Sequence, residues 1–187
     1  ERDLLRATEF FTMPEFLGAE TSGKTSRTPG GAMPFITAIL LSINSSPEFL
    51  RGLLIALDIT AIFTIAFFYK PLLGRITALA SAALYATALP VLEMIWKFWN
   101  PSPTASISVF AYGLLIYVIS GRLGWRSAFA GGVLISICAQ FHISFIAGAA
   151  ITFFAALLFS EKYRWKVSTA FLGGFIIVYT PYIISDI

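Results

Sequence analysis

The sequence is poor in the residues from which soluble enzymes build catalytic and metal centres. Its 187 residues include one cysteine and one histidine, and only 12% are Asp, Glu, Lys or Arg. A single cysteine, Cys138, excludes an internal disulfide and a cysteine-based metal cluster. Soluble domains carry about 25% charged residues, so the low charge content also argues against a soluble globular domain.

The chain is rich in apolar residues. Hydrophobic residues make up 57% of it, the mean hydropathy is +0.80, and its 18 Phe and 14 Gly suit lipid-facing surface and close helix contacts. The net charge of +3 does not indicate nucleic-acid binding, because Lys and Arg lie in short segments between apolar runs. We therefore predict an all-α fold, a polytopic transmembrane helix bundle.

Residues 1–46 are predicted to form a non-cytoplasmic loop that carries a short helix. Residues 1–13 suit an amphipathic helix with Leu4, Ala7 and Phe11 on one stripe. Such a helix lies on the membrane surface or caps the fold in solvent, and both interpretations stay open. Residues 32–43 are apolar but too short to cross a bilayer, which predicts an interfacial or re-entrant segment. Because the charged start lacks a signal peptide's apolar core, we expect a fragment of a longer protein.

Residues 18–25 read G-A-E-T-S-G-K-T and match the phosphate-loop pattern of nucleotide-binding proteins. A phosphate loop needs a buried strand before it and a helix after it. Here Pro14 interrupts the segment before the match, and residues 28–31 (TPGG) stop a helix after it. No alternation of strands and helices follows. We interpret the match as chance within a polar loop and expect no nucleotide.

Residues 47–187 are predicted to form the membrane bundle. A single helix over residues 127–160 would be about 50 Å long against a hydrocarbon core of about 30 Å, and polar residues interrupt it, so we predict a break around His142. The bundle then has about six spans, at residues 47–69, 76–95, 104–119, 127–141, 145–160 and 167–185.

Charge placement predicts the orientation of these spans. With six crossings, the basic segments 70–75, 122–126 and 162–166 share one side. The positive-inside rule makes that side cytoplasmic. Residues 1–46 and the break at His142 then lie on the non-cytoplasmic side.

Polar side chains at membrane depth are costly unless they are paired or line a cavity. Gln140 and His142 are therefore functional candidates. The alternative is that they hydrogen-bond each other or neighbouring carbonyls and hold two broken helices together, and both interpretations stay open. Asp58, in the middle of the span 47–69, is predicted to be a polar contact within the bundle, away from the outer loops.

Four short segments, in order along the chain, resemble one family of membrane enzymes. They are residues 1–5 (ERDLL), 17–23 (LGAETSG) with 28–31 (TPGG), 99–102 (WNPS) and 139–144 (AQFHIS), and residues 174–186 are similar to a further segment. Together they resemble the GT-C class of membrane glycosyltransferases, specifically the bacterial and archaeal relatives of aminoarabinose and protein O-mannosyl transferases. The resemblance covers nearly the whole chain and implies an internal fragment of such an enzyme.

The resemblance implies transfer of a sugar from a polyprenyl-phosphate donor to an acceptor on the non-cytoplasmic face of a prokaryotic plasma membrane. In the family's register the catalytic aspartate would precede Glu1 by two residues. Glu1 and Asp3 are therefore the catalytic candidates that this chain carries, and the fragment alone is expected to be inactive.

The same resemblance implies a substrate site and, in many relatives, a divalent metal ion. A cation suits the lipid phosphate that departs during transfer. The residues expected to bind substrate are Lys24, Arg27, Gln140 and His142. Asn100 replaces an aspartate of some relatives and is the candidate metal ligand.

Two functions from other classes remain as alternatives. A transporter or permease subunit would explain a broken helix with polar residues at depth, but transporter repeats show paired breaks and the sequence indicates one. A non-catalytic membrane assembly or lipid-binding protein would keep the fold without the chemistry. The sugar and the acceptor stay undetermined.

Overall fold

The computed structural model describes residues 7–12, 31–96, 101–160 and 164–185, and every regular element in these ranges is helical. The predicted all-α class is therefore confirmed for the described chain. The elements are α1 Ala32–Ile43, α2 Pro47–Phe63, a π-helix Thr64–Phe68, α3 Lys70–Leu73, α4 Arg75–Thr87, α5 Leu89–Trp96, α6 Thr104–Ile119, α7 Trp125–Phe141, α8 Ser144–Phe159 and α9 Arg164–Ser185.

Local sequence explains where several helices begin and end. Ser46 caps α2 by accepting the backbone N–H groups of Glu48 and Phe49, and Pro47 takes the first helical position, where a missing N–H costs nothing. Gly74, between α3 and α4, and Gly121, after α6, have φ angles of 80° and 71°. Glycine adopts this left-handed region without a steric penalty, so both turns depend on it.

The predicted span 76–95 is interrupted in the structure. α4 ends at Thr87, Ala88 is extended with φ −67° and ψ 114°, and α5 begins at Leu89. Pro90 has no N–H with which to donate to the carbonyl of Ala86, so one continuous helix would lose a hydrogen bond there. Proline is well tolerated in a first turn, which explains why the chain restarts as a new helix.

α7 and α9 run parallel and form the centre of the largest apolar core. Near their first residues, the Lys166 amine lies 5.4 Å from the centre of the Trp125 ring, and near their last residues Gln140 bonds Val178. α8 connects them and runs in the opposite direction. The core buries Ala111, Leu115, Val118, Ala128, Ile135, Ala149, Ala156, Val167 and Phe171.

Two glycines set the close approach of α7 and α9. A Cβ atom on Gly132 would overlap the carbonyl oxygen of Phe171, and a Cβ atom on Gly174 would overlap the carbonyl oxygen of Phe129. Each glycine therefore packs directly on the backbone of the other helix. Small residues allow this contact, which is common between helices in membranes.

Tyrosine hydroxyls join the end of α2 to α6. Tyr69, which follows the π-helix, donates its hydroxyl to the carbonyl of Val109, and Tyr117 donates to the carbonyl of Phe68. Gly113 leaves the space that the Tyr69 ring occupies, since a Cβ there would lie 2.6 Å from that ring. The π-helix is therefore locked against α6 at a point where the regular hydrogen-bond ladder changes.

Described residues of the three basic segments meet at one end of the bundle. The guanidinium of Arg122 donates to the carbonyl of Pro71 at 3.3 Å, which joins the first segment to the second. Arg126 and Lys166 both lie over the Trp125 ring, at 5.6 and 5.4 Å from its centre, which joins the second to the third. The break at His142 lies at the opposite end of α7, close to the α1 residues Ala32, Phe35 and Ile36, which share a cavity with Gln140.

Two described helical stretches are long and apolar enough to cross a membrane, Pro47–Phe68 and Arg164–Ile184. In each, only 28% of the most apolar 18-residue window is buried, whereas the core helix of a soluble protein would be mostly buried. Large apolar side chains such as Ile76, Leu84 and Ile151 are also well exposed. Shorter apolar helices are Ala32–Ile43, Thr104–Ile119 and Ser144–Phe159.

The described part of the N-terminal segment packs only partly on the bundle. Residues 7–9 close a helical turn, and residues 10–12 turn away from the helix. Ala7 and Phe10 are buried against Ala38 of α1, whereas Phe11, predicted on the apolar stripe, is 64% exposed. The helical turn ends before Phe11, so Phe11 does not pack with Ala7 and Phe10 against α1, and its ring stays exposed.

We expect the glycine contact between α7 and α9 to be intolerant of a single methyl group. Gly174→Ala should lower the unfolding free energy of the full-length protein by about 1–3 kcal/mol, because overpacking forces two backbones apart. The neighbouring Gly173→Ala is a matched control, since a Cβ there meets no atom within 4 Å. Thermal unfolding in detergent measures both. Equal stability of the two variants would contradict the close contact.

Candidate functional site

α1 lies across the end of the bundle opposite the basic segments and encloses apolar space. One cavity of about 370 Å³ lies between α1, α7 and α9. Its lining consists of Gly31, Ala32, Phe35, Ile36, Ile137, Gln140, Val178 and Pro181. Among the described residues of this lining, Gln140 has the only polar side chain. The cavity therefore suits an apolar chain with one polar group near Gln140.

Gln140 is buried in the last turn of α7, and its amide joins two helices. Its Nε2 donates to the carbonyl of Val178 at 2.6 Å, one turn before Pro181 interrupts the hydrogen-bond ladder of α9. Within the described ranges, its Oε1 has no hydrogen-bond partner. One half of the amide therefore holds the helices together, and the other half is free to accept a hydrogen bond from a ligand in the cavity.

His142 occupies the break between α7 and α8 and bridges it. Its backbone N–H donates to the carbonyl of Cys138 at 2.8 Å, which closes α7. Its Nδ1 accepts the backbone N–H of Ser144 at 3.4 Å and lies 2.7 Å from the Ser144 hydroxyl. This arrangement requires a lone pair on Nδ1 and so favours the neutral tautomer with its proton on Nε2. His142 is exposed, and Nε2 remains available.

The two described candidates do not form one constellation. Gln140 points toward α9 and the cavity, whereas His142 is outside the cavity lining and bonds Ser144. Gln140 and His142 do not hydrogen-bond each other, because they lie on either side of the helix end. The alternative of a neighbouring carbonyl is correct for Gln140. The other sequence candidates, Glu1, Asp3, Lys24, Arg27 and Asn100, and the 18–25 segment lie outside the described residues.

A group that sequence reasoning missed surrounds Asp58. Its Oδ1 accepts hydrogen bonds from the hydroxyls of Tyr85 in α4, at 3.0 Å, and of Ser106 in α6. Asp58 is the polar contact within the bundle that the sequence predicted, but its partner Ser106 lies only three residues after Pro103, close to the turn at residues 101–103. Tyr85 and Ser106 were visible as polar residues within predicted spans, yet nothing in the sequence pairs them with Asp58.

A metal site finds no support in the described residues. No group of three or more His, Cys, Asp or Glu side chains comes together there. The candidate ligand Asn100 lies outside the described residues, so a divalent metal ion stays a prediction from the sequence.

Comparison of the chain with protein-family models, with curated proteins and with solved structures finds no match. The site must therefore be interpreted from its own geometry and chemistry.

We predict that the Nδ1 atom of His142 stabilises the start of α8. His142→Leu should cost about 1 kcal/mol of unfolding free energy, the usual net cost of losing a hydrogen bond. His142→Asn should cost much less, because its Oδ1 can accept the same N–H and hydroxyl. Thermal unfolding of both full-length variants makes the comparison. If both variants lose the same stability, the Nδ1 contact contributes nothing.

Proposed function

We propose that this chain is part of an integral membrane glycosyltransferase that moves a sugar from a polyprenyl-phosphate donor to an acceptor on the non-cytoplasmic face. The proposal is supported by the apolar cavity between α1, α7 and α9, in which Gln140 has the only polar side chain among the described residues. A prenyl chain needs an apolar groove that opens beside the membrane, and its phosphate or sugar needs a polar group at one end. The GT-C resemblance of residues 139–144 falls on this same helix end.

The polar sequence before α1 supplies the charge that such a donor needs. Arg27 precedes the cavity residue Gly31 by four residues, and Lys24 precedes it by seven. In the proposed mechanism, one of these cations clamps the lipid phosphate as negative charge develops on it during departure of the sugar. The free Oε1 of Gln140 accepts a hydrogen bond from a sugar hydroxyl, which orients the donor.

The remaining step is deprotonation of the acceptor hydroxyl by a carboxylate acting as general base. Glu1 and Asp3 are the acids of this chain nearest in sequence to the family's catalytic aspartate, which the resemblance puts before Glu1. We therefore propose that the complete protein supplies the base from the segment that precedes or includes these residues. His142, through its available Nε2, would contact the phosphate or the acceptor at the mouth of the site.

Membrane embedding is part of the proposal. Two helices long enough to cross, large exposed apolar side chains and the collection of basic segments at one end all favour a polytopic bundle. The basic end would face the cytoplasm of a prokaryotic cell, and α1 with the cavity would face the other side. Helices shorter than about 20 residues then cross where the bilayer is locally thinner, or where α1 covers the ends of the helices.

Orientation can be measured with single cysteines in a background in which Cys138 is replaced by Ser. Ser45→Cys and Gly124→Cys occupy exposed positions at opposite ends of the bundle. An impermeant thiol reagent added to intact cells should label Ser45→Cys, and should label Gly124→Cys only after permeabilisation. Labelling of Gly124→Cys but not of Ser45→Cys in intact cells would reverse the proposed orientation, and labelling of both would contradict membrane embedding.

Filling the cavity tests donor binding. Ala32→Phe introduces a ring into the cavity lining and should weaken binding of a polyprenyl phosphate to the full-length protein by about tenfold, or 1.4 kcal/mol. Ala80→Phe adds the same ring at an exposed position of α4 and should change nothing. Direct binding of the radiolabelled lipid measures both. If the unaltered protein does not bind the lipid, or the two variants bind equally, the proposed donor site is wrong.

A further inference from the structure

Asp58 is a carboxylate buried between three helices and is only 6% exposed. Its described hydrogen bonds come from hydroxyl groups, those of Tyr85 and Ser106, which also lie 3.1 Å from each other. No Lys, Arg or His in the described ranges forms an ion pair with it. A carboxylate in apolar surroundings is costly, and chains that keep one there generally use it.

The two partners of Asp58 belong to the two ends of the α4–α6 connection. Tyr85 lies in the last turn of α4, and its carbonyl accepts the N–H of Ala88, the residue at which the helix breaks. Ser106 lies in the first turn of α6, which residues 101–104 enter through a buried turn closed by the Thr104 bonds to the Pro101 carbonyl. Asp58 therefore holds both the break and the entrance of α6 against α2.

The entrance of α6 packs against the helix that carries the candidate site. The Cys138 thiol lies 3.8 Å from the carbonyl of Thr104, and Cys138 is fully buried two residues before Gln140. A second apolar cavity, of about 290 Å³, is lined by residues next to both Asp58 and Ser106, namely Leu57 and Ile107, and by Phe141 at the end of α7. A movement of the α6 entrance would therefore reach α7 directly.

We propose that Asp58 is a positioning residue for the cavity site around Gln140. Through Ser106 and Tyr85 it holds the entrance of α6 in place, and that entrance supports the end of α7 that carries Gln140. The hydroxyl contacts need an acceptor oxygen at this point more than they need a negative charge. The link to catalysis rests on the proposed glycosyltransferase function, whereas the positioning of α6 against α7 does not.

The native thiol of Cys138 offers a readout that is independent of catalysis. In the unaltered full-length protein, a membrane-permeant maleimide should react very slowly with Cys138, because Thr104 and the surrounding core cover it. Asp58→Leu removes both hydroxyl contacts, and the rate should rise about tenfold or more through local opening of the α6 entrance. Asp58→Asn keeps an acceptor oxygen and should keep the rate close to that of the unaltered protein.

Thr60→Val is the matched control on the same helix. Thr60 is exposed, and its hydroxyl bonds only the carbonyl of Ala56 within α2, at 2.7 Å. This variant should leave both the Cys138 rate and polyprenyl-phosphate transfer unchanged. Asp58→Leu should lower transfer, and Asp58→Asn should restore it, in parallel with protection of Cys138.

Three outcomes separate this inference from the proposed function. If Asp58→Leu leaves Cys138 protected, Asp58 does not position α6 and the inference is wrong. If Asp58→Asn loses transfer while Cys138 stays protected, the charge itself is required, which also overturns it. If Asp58→Leu exposes Cys138 but the unaltered protein transfers no sugar, the positioning role stands and the glycosyltransferase proposal fails.

Discussion

The contact between the backbones of α7 and α9 sets the geometry on which the candidate site depends. Gly132 and Gly174 bring the two helices so close that each packs against a carbonyl oxygen of the other. Gln140 follows Gly132 by two helical turns, and Val178 follows Gly174 by one, so this register carries the Gln140 amide to the Val178 carbonyl. The apolar cavity lies at that end, beyond the close contact, where Pro181 and residues of α1 line the space next to Gln140.

A second constraint is the need to satisfy backbone polar groups wherever a helix stops in apolar surroundings. Each interruption near the site has its own solution. At the end of α7, the His142 N–H donates to the last turn of one helix, and its Nδ1 accepts the Ser144 N–H at the start of the next. After α2, the Tyr69 hydroxyl donates to a carbonyl of α6, and the hydroxyl of Tyr117 in α6 donates to the carbonyl of Phe68. At the end of α4, the Ala88 N–H donates to the carbonyl of Tyr85, and the Tyr85 hydroxyl donates to Asp58.

The two ends of the bundle differ in the side chains that they carry. One end gathers Arg122, Arg126 and Lys166 around Trp125 and the Pro71 carbonyl. The other carries α1, two apolar cavities and uncharged polar groups such as Gln140. An apolar substrate that enters sideways from a bilayer would meet the second end, which is why we propose a lipid-linked donor there. Asp58 lies between the helices that support this end, and we assign it a supporting role.

The sequence by itself determined the helical class, the start of a helix at residue 47 and the break around His142, because these depend on composition, on the length of apolar runs and on the polar residues that interrupt them. It carried the signal for the interruption before Pro90, although the span was predicted as continuous. Only the tertiary structure decided that α7 and α9 touch through Gly132 and Gly174, that Gln140 bonds Val178 while His142 bonds Ser144, and that Tyr85 and Ser106 meet at Asp58. Those pairings join residues far apart in the chain, and their register follows from packed backbones rather than from local preference.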